Sequence, residues 1–458
     1  MHDANSVGPI TLATGIRFQD PLPEAVDVAI IGGGVIGIFT ALYLNRRGLR
    51  VLVCEKGRIA GEQSSRNWGW VRKQGRDPAE LPIMMEADHL WDAVDEQAGG
   101  RTGLTRGGIC YLASTDKELE RHAEWLEIAG THQVEARLFS KAEIAKLIDQ
   151  SPAGSGPAHG WAGGIVTPTD GRAEPWQAVP VVAELAHSEG VLIRENCAVR
   201  SLDIEAGQIK ALVTEDGIVK TEQVVLAAGA WSSLFARQHA ISIPQLSVRA
   251  TVARTAPLPE VYAGNGADED LAFRRREDGS YTLAPSDYHE HFIGPDSVRN
   301  FFKYLPVMKH NLAETGLRLS APKDYPDAWG TKRGWASDDK TPFEAMRVLD
   351  PDPNQTVIKK LQKRFAERFP AIGMPAIQTS WAGMIDSMPD VVPIVDRVPA
   401  LEGLLMATGM SGHGFGIGPG FGKVIADMAM GKESGHDLSR FRFSRFSDGS
   451  RIRIGPTL

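Results

Sequence analysis

The chain of 458 residues has only three cysteines, Cys54, Cys110 and Cys197, far apart in sequence. Thiols so spaced build neither a disulfide framework nor a metal-ligand set, and they suit a reducing compartment. An excess of positive charge is missing too. Lys and Arg number 50 against 57 Asp and Glu, a net charge of −7, which removes the electrostatic basis for nucleic-acid binding. No apolar run reaches membrane-spanning length, and residues 1–25 lack the basic start and apolar core of a signal peptide, so a cytoplasmic protein with no membrane span is expected. Paired carboxylates, a serine–histidine–acid order and clustered metal ligands are absent at any telling spacing. What remains, 42% hydrophobic and 23% charged residues, is the composition of a globular enzyme, and its length calls for two interleaved domains.

The strongest pattern that is present runs from Val26 to Glu55, VDVAIIGGGVIGIFTALYLNRRGLRVLVCE. An apolar strand meets Gly32, Gly34 and Gly37, the spacing of a dinucleotide-binding turn. The first glycine permits the turn, the second admits a pyrophosphate, and the third lets the helix lie close on the strand. Val35 and Ile36 open a helix whose N–H groups point at the diphosphate, Gly48 stops it, and Val51–Cys54 is the next strand. Glu55 stands 23 residues after Gly32. A carboxylate there accepts ribose hydroxyls and repels a 2′-phosphate, so NADP is disfavoured.

Two further stretches extend this unit. Gly61 to Gly75 is polar, glycine-punctuated and aromatic, with Ser64-Ser65-Arg66-Asn67-Trp68 at its centre, and Thr408 to Gly420 is a second glycine-rich segment, followed by a helix expected over 421–430. A strand, a glycine loop with one histidine, His413, and then a helix again deliver N–H groups to an acceptor. Together with Val224–Ala227 leading into Ala228-Gly229-Ala230-Trp231, these stretches resemble the FAD-dependent D-amino-acid oxidase superfamily, which includes glycine oxidase, sarcosine oxidase and the D-amino-acid dehydrogenases. The resemblance implies an α/β fold, a Rossmann-like FAD-binding domain with an interleaved antiparallel-sheet substrate domain. It implies cofactor contacts from Lys56 beside the ribose acid, from Ser64, Ser65, Arg66, Asn67 and Trp68, from Val199 near the adenine, from Ala228, Gly229 and Trp231, and from Gly412, His413, Gly414, Phe415 and Gly416 at the pyrimidine side of the flavin. It also brings Arg72 to the substrate side of the ring.

The expected organisation is an N-terminal arm over 1–25, an FAD-binding domain over 26–90, 160–245 and 376–435, a substrate domain over 91–159 and 246–375, and a C-terminal arm over 436–458. A Gly/Pro/Ser-rich crossing is expected over 151–164, short strands over 191–194 and 198–202 followed by a meander over 209–227, a helix over 298–317, and a short strand over 332–337. Leu246–Arg254, Leu271–Arg275 and Ser280–Ala284 read as an antiparallel sheet with a turn at Asp278-Gly279. Arg274 and Arg276 share one face of it, opposite Arg275. The Arg- and Phe-rich tail, Arg440 to Arg453, reads as an arm packed on the body or on a partner subunit, with an anion-binding patch as the other reading.

Departures from the family patterns narrow the expectation. No cysteine follows Cys197, and Asn67-Trp68-Gly69 stands where relatives with a histidyl-linked flavin carry that histidine, so FAD is expected to be non-covalent. Gly416 occupies the place of the carboxylate-binding lysine of sarcosine oxidases, so Arg72 or a sheet arginine such as Arg274 must hold any substrate carboxylate. His413 is left as a positioning residue or a base. The expected activity is oxidation of the C–N bond of a small amine or amino acid, with oxygen or a quinone-type acceptor taking the electrons, in a possible homo-oligomer; the other readings are a non-catalytic FAD-binding subunit of a larger oxidoreductase and an NAD-dependent dehydrogenase.

Overall fold

A computed structural model describes residues 8–148, 160–311 and 314–455. Strand β1 (Val28–Ile31) is buried on both faces, helix α1 (Val35–Arg46) follows, and β2 (Val51–Cys54) pairs with β1 in parallel. Ten consecutive residues of α1, Val35 to Leu44, are buried, so it is a helix enclosed on all sides rather than an amphipathic surface helix. These elements sit in a six-stranded sheet of order Ile394–Arg397, Leu404–Thr408, Gln223–Leu226, β1, β2, Leu192–Arg194. Only the edge strand Ile394–Arg397 runs antiparallel.

The second sheet has ten strands. It is antiparallel except where Ile109–Ala113 pairs with Asn265–Ala267 and where His289–Phe292 pairs with Thr315–Arg318. Its spine is Leu246–Thr255, which pairs along its length with Ile377–Ser387. The chain therefore returns to the nucleotide-binding sheet later than its composition suggests. Gly163–Thr167 and Ile377–Ser387, both placed with the FAD-binding domain from the sequence, hydrogen-bond into the large sheet instead.

Other local expectations are corrected as well. Most of the 151–164 crossing lies outside the described residues, and Gly163 and Gly164 are already strand. The meander has three strands, Val199–Glu205, Gln208–Thr214 and Ile218–Lys220, while Gln223–Leu226 leaves it for the parallel sheet. The single helix over 298–317 is two helices, Pro295–Arg299 and Phe301–Asn311, and Leu317 belongs to an edge strand. A short apolar run fits helix or strand equally, and here strand pairing decides. Residues 332–337 form no strand. Cys54 and Cys197, remote in sequence, come within hydrogen-bonding reach of each other.

The helix after the last glycine stretch starts at Gly414, not at Phe421, and runs to Ala429. Each helical glycine costs about 1 kcal/mol against alanine, which is why the segment reads as a loop. Close packing offsets that cost. A Cβ on Gly418 would lie 2.6 Å from Val35 Cγ2 and one on Gly420 2.5 Å from the Ile83 carbonyl, so the smooth face lets α1 and the helix Leu81–Gln97 approach.

Both arms pack on the body. Ile10 and Phe18 of the N-terminal arm are buried. In the C-terminal arm Phe441 is fully buried against Phe421, and Arg440 and Arg445 pair with Asp390 at 3.0 and 2.8 Å. Two of the tail's arginines are thus spent on an internal carboxylate.

Candidate active site

A cavity of about 860 Å³ runs from the β1–α1 turn to the large sheet. At one end Gly32 takes a φ of +109°, which an L side chain rarely adopts, and a Cβ there would lie 2.5 Å from the Ala227 carbonyl. A Cβ on Gly37 would lie 2.0 Å from the Gly32 carbonyl, so Gly37 faces the strand rather than the cavity and sets how close α1 comes. Gly34 caps α1 without a side-chain hydrogen bond and no acid lies in the first turn. Ser64 Oγ accepts the Val35 N–H at 2.9 Å, and Ile36 lines the cavity beside it.

Glu55 closes this end. Its carboxylate accepts the N–H groups of Gly33 and Gly57 at 2.8 and 2.7 Å, and desolvation raises its carboxyl to about 7. Lys56 lies 4.5 Å over the Trp231 ring and pairs with Glu62 at 2.6 Å. Glu62 also accepts the Trp231 indole N–H at 3.0 Å and the Leu349 N–H at 3.0 Å, joining four segments of the wall. Val199, Ala228 and Gly229 complete it.

The Ser64–Trp68 stretch divides. Ser64, Arg66, Asn67 and Trp68 line the cavity, whereas Ser65 is fully buried and its hydroxyl accepts the N–H of Ile10 from the N-terminal arm. Arg66 is a strut, bound to Asp350 at 2.6 Å and to the carbonyls of Ala382 and Ile10. Trp68 packs against Val252, Ala284 and Trp381 and so lies under the large sheet.

The second helix N-terminus enters the same cavity. Gly412, His413, Gly414, Phe415 and Gly416 all line it, and the helix from Gly414 has no acid in its first turn and no capping side-chain bond from His413. Arg76, buried and pushed down to about 10 by desolvation, donates to the His413 carbonyl at 2.9 Å and so holds the entry to that helix. Two helix starts without acids, facing one cavity with a ribose-type carboxylate at its far end, fit an elongated anionic dinucleotide such as FAD.

The arginines separate by partner. Arg274 does not reach the cavity: it is 1% exposed and gives its guanidinium to Glu174 at 2.9 Å and to the Ala173 carbonyl. Arg276 lies 4.0 Å over Trp176, and Arg275 turns to the other face toward Glu260. Arg72 is half-buried in the cavity wall, donates to the Gln74 carbonyl, lies 5.9 Å from the Tyr111 ring centroid, and has no carboxylate partner among the described residues. The other cavity arginines are taken: Arg58 by carbonyls and Asn196, and Arg66, Arg76, Arg121 and Arg347 by acids.

Sequence reasoning missed Asp386 and Gln245. Asp386 Oδ2 accepts the Gly409 N–H at 2.7 Å and the Gln245 amide at 3.1 Å, and burial raises its carboxyl to about 6. It clamps the large sheet to the last glycine segment. Among the described residues no group of three His, Cys, Asp or Glu side chains is arranged to hold a metal, and no helix is long and apolar enough to cross a membrane.

Fold and cavity fit a dinucleotide-binding protein built on a parallel and a largely antiparallel sheet, and comparison with known proteins sharpens that class. The FAD dependent oxidoreductase (DAO) family model matches residues 27–428, and the chain belongs to that family. Its cofactor is accordingly FAD. Among curated relatives, the glycine oxidase of Geobacillus kaustophilus is 24% identical over 92% of this chain and 97% of its own length. The 4-methylaminobutanoate oxidase (formaldehyde-forming) of Paenarthrobacter nicotinovorans is 24% identical over 94% of this chain, which spans only 46% of that relative. Among solved structures, the L-amino acid deaminase from Proteus myxofaciens in complex with anthranilate superposes with a TM-score of 0.89 at 28% identity, covering 96% of this chain and 98% of the other.

Proposed function

We propose that the protein oxidises the C–N bond of a small amine or amino acid bearing a carboxylate, using non-covalent FAD. The observation that carries the reading is Arg72, a half-buried guanidinium without an acid partner among the described residues, in the one cavity that also receives both helix N-termini. A guanidinium so placed binds a carboxylate bidentately. When bound, FAD supplies a two-electron acceptor at its N5 for the substrate's C–H hydride, the amine gives up a proton, and water hydrolyses the resulting imine to a carbonyl compound and a free amine.

This chain's residues orient and stabilise. Arg72 fixes the substrate's acid group and thereby the C–H direction. The N–H groups at Gly414 and Phe415, at the helix start in the cavity, would stabilise the negative charge that FAD gains on reduction. Arg76 holds that turn through the His413 carbonyl, which favours positioning over proton transfer as the role of His413. Trp68 and Trp70 exclude water from the sheet side of the cavity.

Relatives named as a glycine oxidase, a 4-methylaminobutanoate oxidase and an L-amino acid deaminase support an amino-acid or amine donor. Oxygen or a quinone is the proposed electron acceptor, and a reducing cytoplasm suits the three free, buried thiols. The test is anaerobic mixing of the purified holoprotein with a panel of amines and D- and L-amino acids. Bleaching of the flavin by a carboxylate-bearing member is expected. Retention of FAD without bleaching by any member would sink the proposal. Release of the flavin into the supernatant on acid precipitation checks the non-covalent linkage.

A further inference from the structure

At the large-sheet end the cavity wall changes character. Trp70, Tyr111 and Trp125 supply aromatic faces, and Glu269 and Glu314 supply carboxylates. His289 stands among them. It is only 9% exposed, lines the cavity, and has no hydrogen-bond partner among the described residues. Desolvation lowers its imidazole to about 4, so at neutral pH it carries a lone-pair acceptor rather than a charge. The nearest acids in sequence are already bound, Glu290 to Arg249 at 2.7 Å and Arg318 at 2.5 Å, and Asp287 to Arg364 at 3.0 Å. His289 pairs in the sheet with Thr315, the residue after Glu314, and Glu314 lines the same cavity, exposed and with no ion-pair partner among the described residues.

Aromatic faces, a free carboxylate and a neutral imidazole acceptor together favour a cation that donates hydrogen bonds. The His289 ring lines the cavity and offers an acceptor there to a ligand nitrogen. We propose that this end of the cavity receives a second, cationic nitrogen of the substrate, so that the preferred donors are basic amino acids. His289 accepts a hydrogen bond from that nitrogen and Glu314 faces its charge. The inference rests on the amine-oxidation reading of the same cavity and adds the substrate class to it.

The test compares lysine with norleucine, equal in chain length but lacking the distal charge, as anaerobic reductants of the holoenzyme. The expected result is a reduction efficiency for lysine at least about tenfold above norleucine of the same configuration. A second readout needs no turnover: 6-aminohexanoate should perturb the flavin spectrum at concentrations about tenfold lower than hexanoate. Glu314→Gln and His289→Ala should each erase most of the lysine preference while leaving norleucine and FAD content within about twofold, and His289→Gln, which keeps an acceptor, should restore part of it. Equal or better reduction by norleucine, no advantage for 6-aminohexanoate, or variants that slow both amino acids alike would overturn the inference. Reduction by uncharged amino acids alone overturns this inference and leaves the amine-oxidation reading standing. Reduction by no member of the wider panel overturns both.

Discussion

The two ends of the cavity are built in different ways. The nucleotide end is mostly backbone: the Gly32 turn, the start of α1, and Glu55 holding Gly33 and Gly57 by their N–H groups all fall between Gly32 and Gly57. The substrate end is mostly side chain. Arg72, Tyr111, His289 and Glu314 come from segments up to some 240 residues apart and line one cavity, Tyr111 and His289 from strands of the large sheet. A backbone site tolerates few changes of shape and many of side-chain chemistry. A side-chain site does the reverse.

The largest expected effect breaks the nucleotide end. Gly37→Val puts side-chain carbon against the Gly32 carbonyl, and the purified variant should retain no FAD by its visible spectrum and melt well below the wild type. Retention of full FAD would show that the turn is not held by that contact. Next, Arg72→Ala should lower kcat/KM for a carboxylate substrate by about a hundredfold, the worth of a charge-assisted pair, with FAD content unchanged. Loss of FAD in this variant would erase the distinction between the ends.

Asp386 joins the two halves and sharpens the comparison. Its carboxyl is raised from about 4 to about 6, so the folded protein holds the proton longer than the unfolded chain does. Stability contributed by the protonated form is present below pH 4 and is lost as pH rises through 6. Asp386→Asn has no such loss. Against the wild type it should gain up to about 2 kcal/mol between pH 4 and 7 in denaturant titrations, and a constant difference across that range would contradict the burial argument. The smallest effect is expected from Glu55→Gln. It keeps the side-chain shape but loses an acceptor and the charge, so the FAD dissociation constant should rise about tenfold, with no change in substrate preference.

How legible each part was follows from the same division. The β1–α1–β2 unit appears in the structure nearly residue for residue, because its turn, helix and strands are specified by local spacing. The helix from Gly414 was hidden by its own glycines, since local propensity argues against a helix that only packing against Val35 and Ile83 stabilises. The arginine triplet showed the expected alternation, yet no spacing rule could reveal that Glu174, a hundred residues earlier, occupies Arg274. Ser65 was drawn to the flavin by its neighbours and is instead held by the N-terminal arm.

Sequence alone laid out the strand–turn–helix–strand unit of Val26–Glu55 with its spaced glycines and terminal acid, and tied the later glycine stretches to the same family of folds, because those features are short-range and carried by backbone geometry. The tertiary structure alone decided which arginine is unspent, where Gly163–Thr167 and Ile377–Ser387 belong, and that His289 and Glu314 share a wall with Arg72. Those outcomes depend on which charges meet and which strands pair across long sequence separations, and local sequence does not encode such pairing.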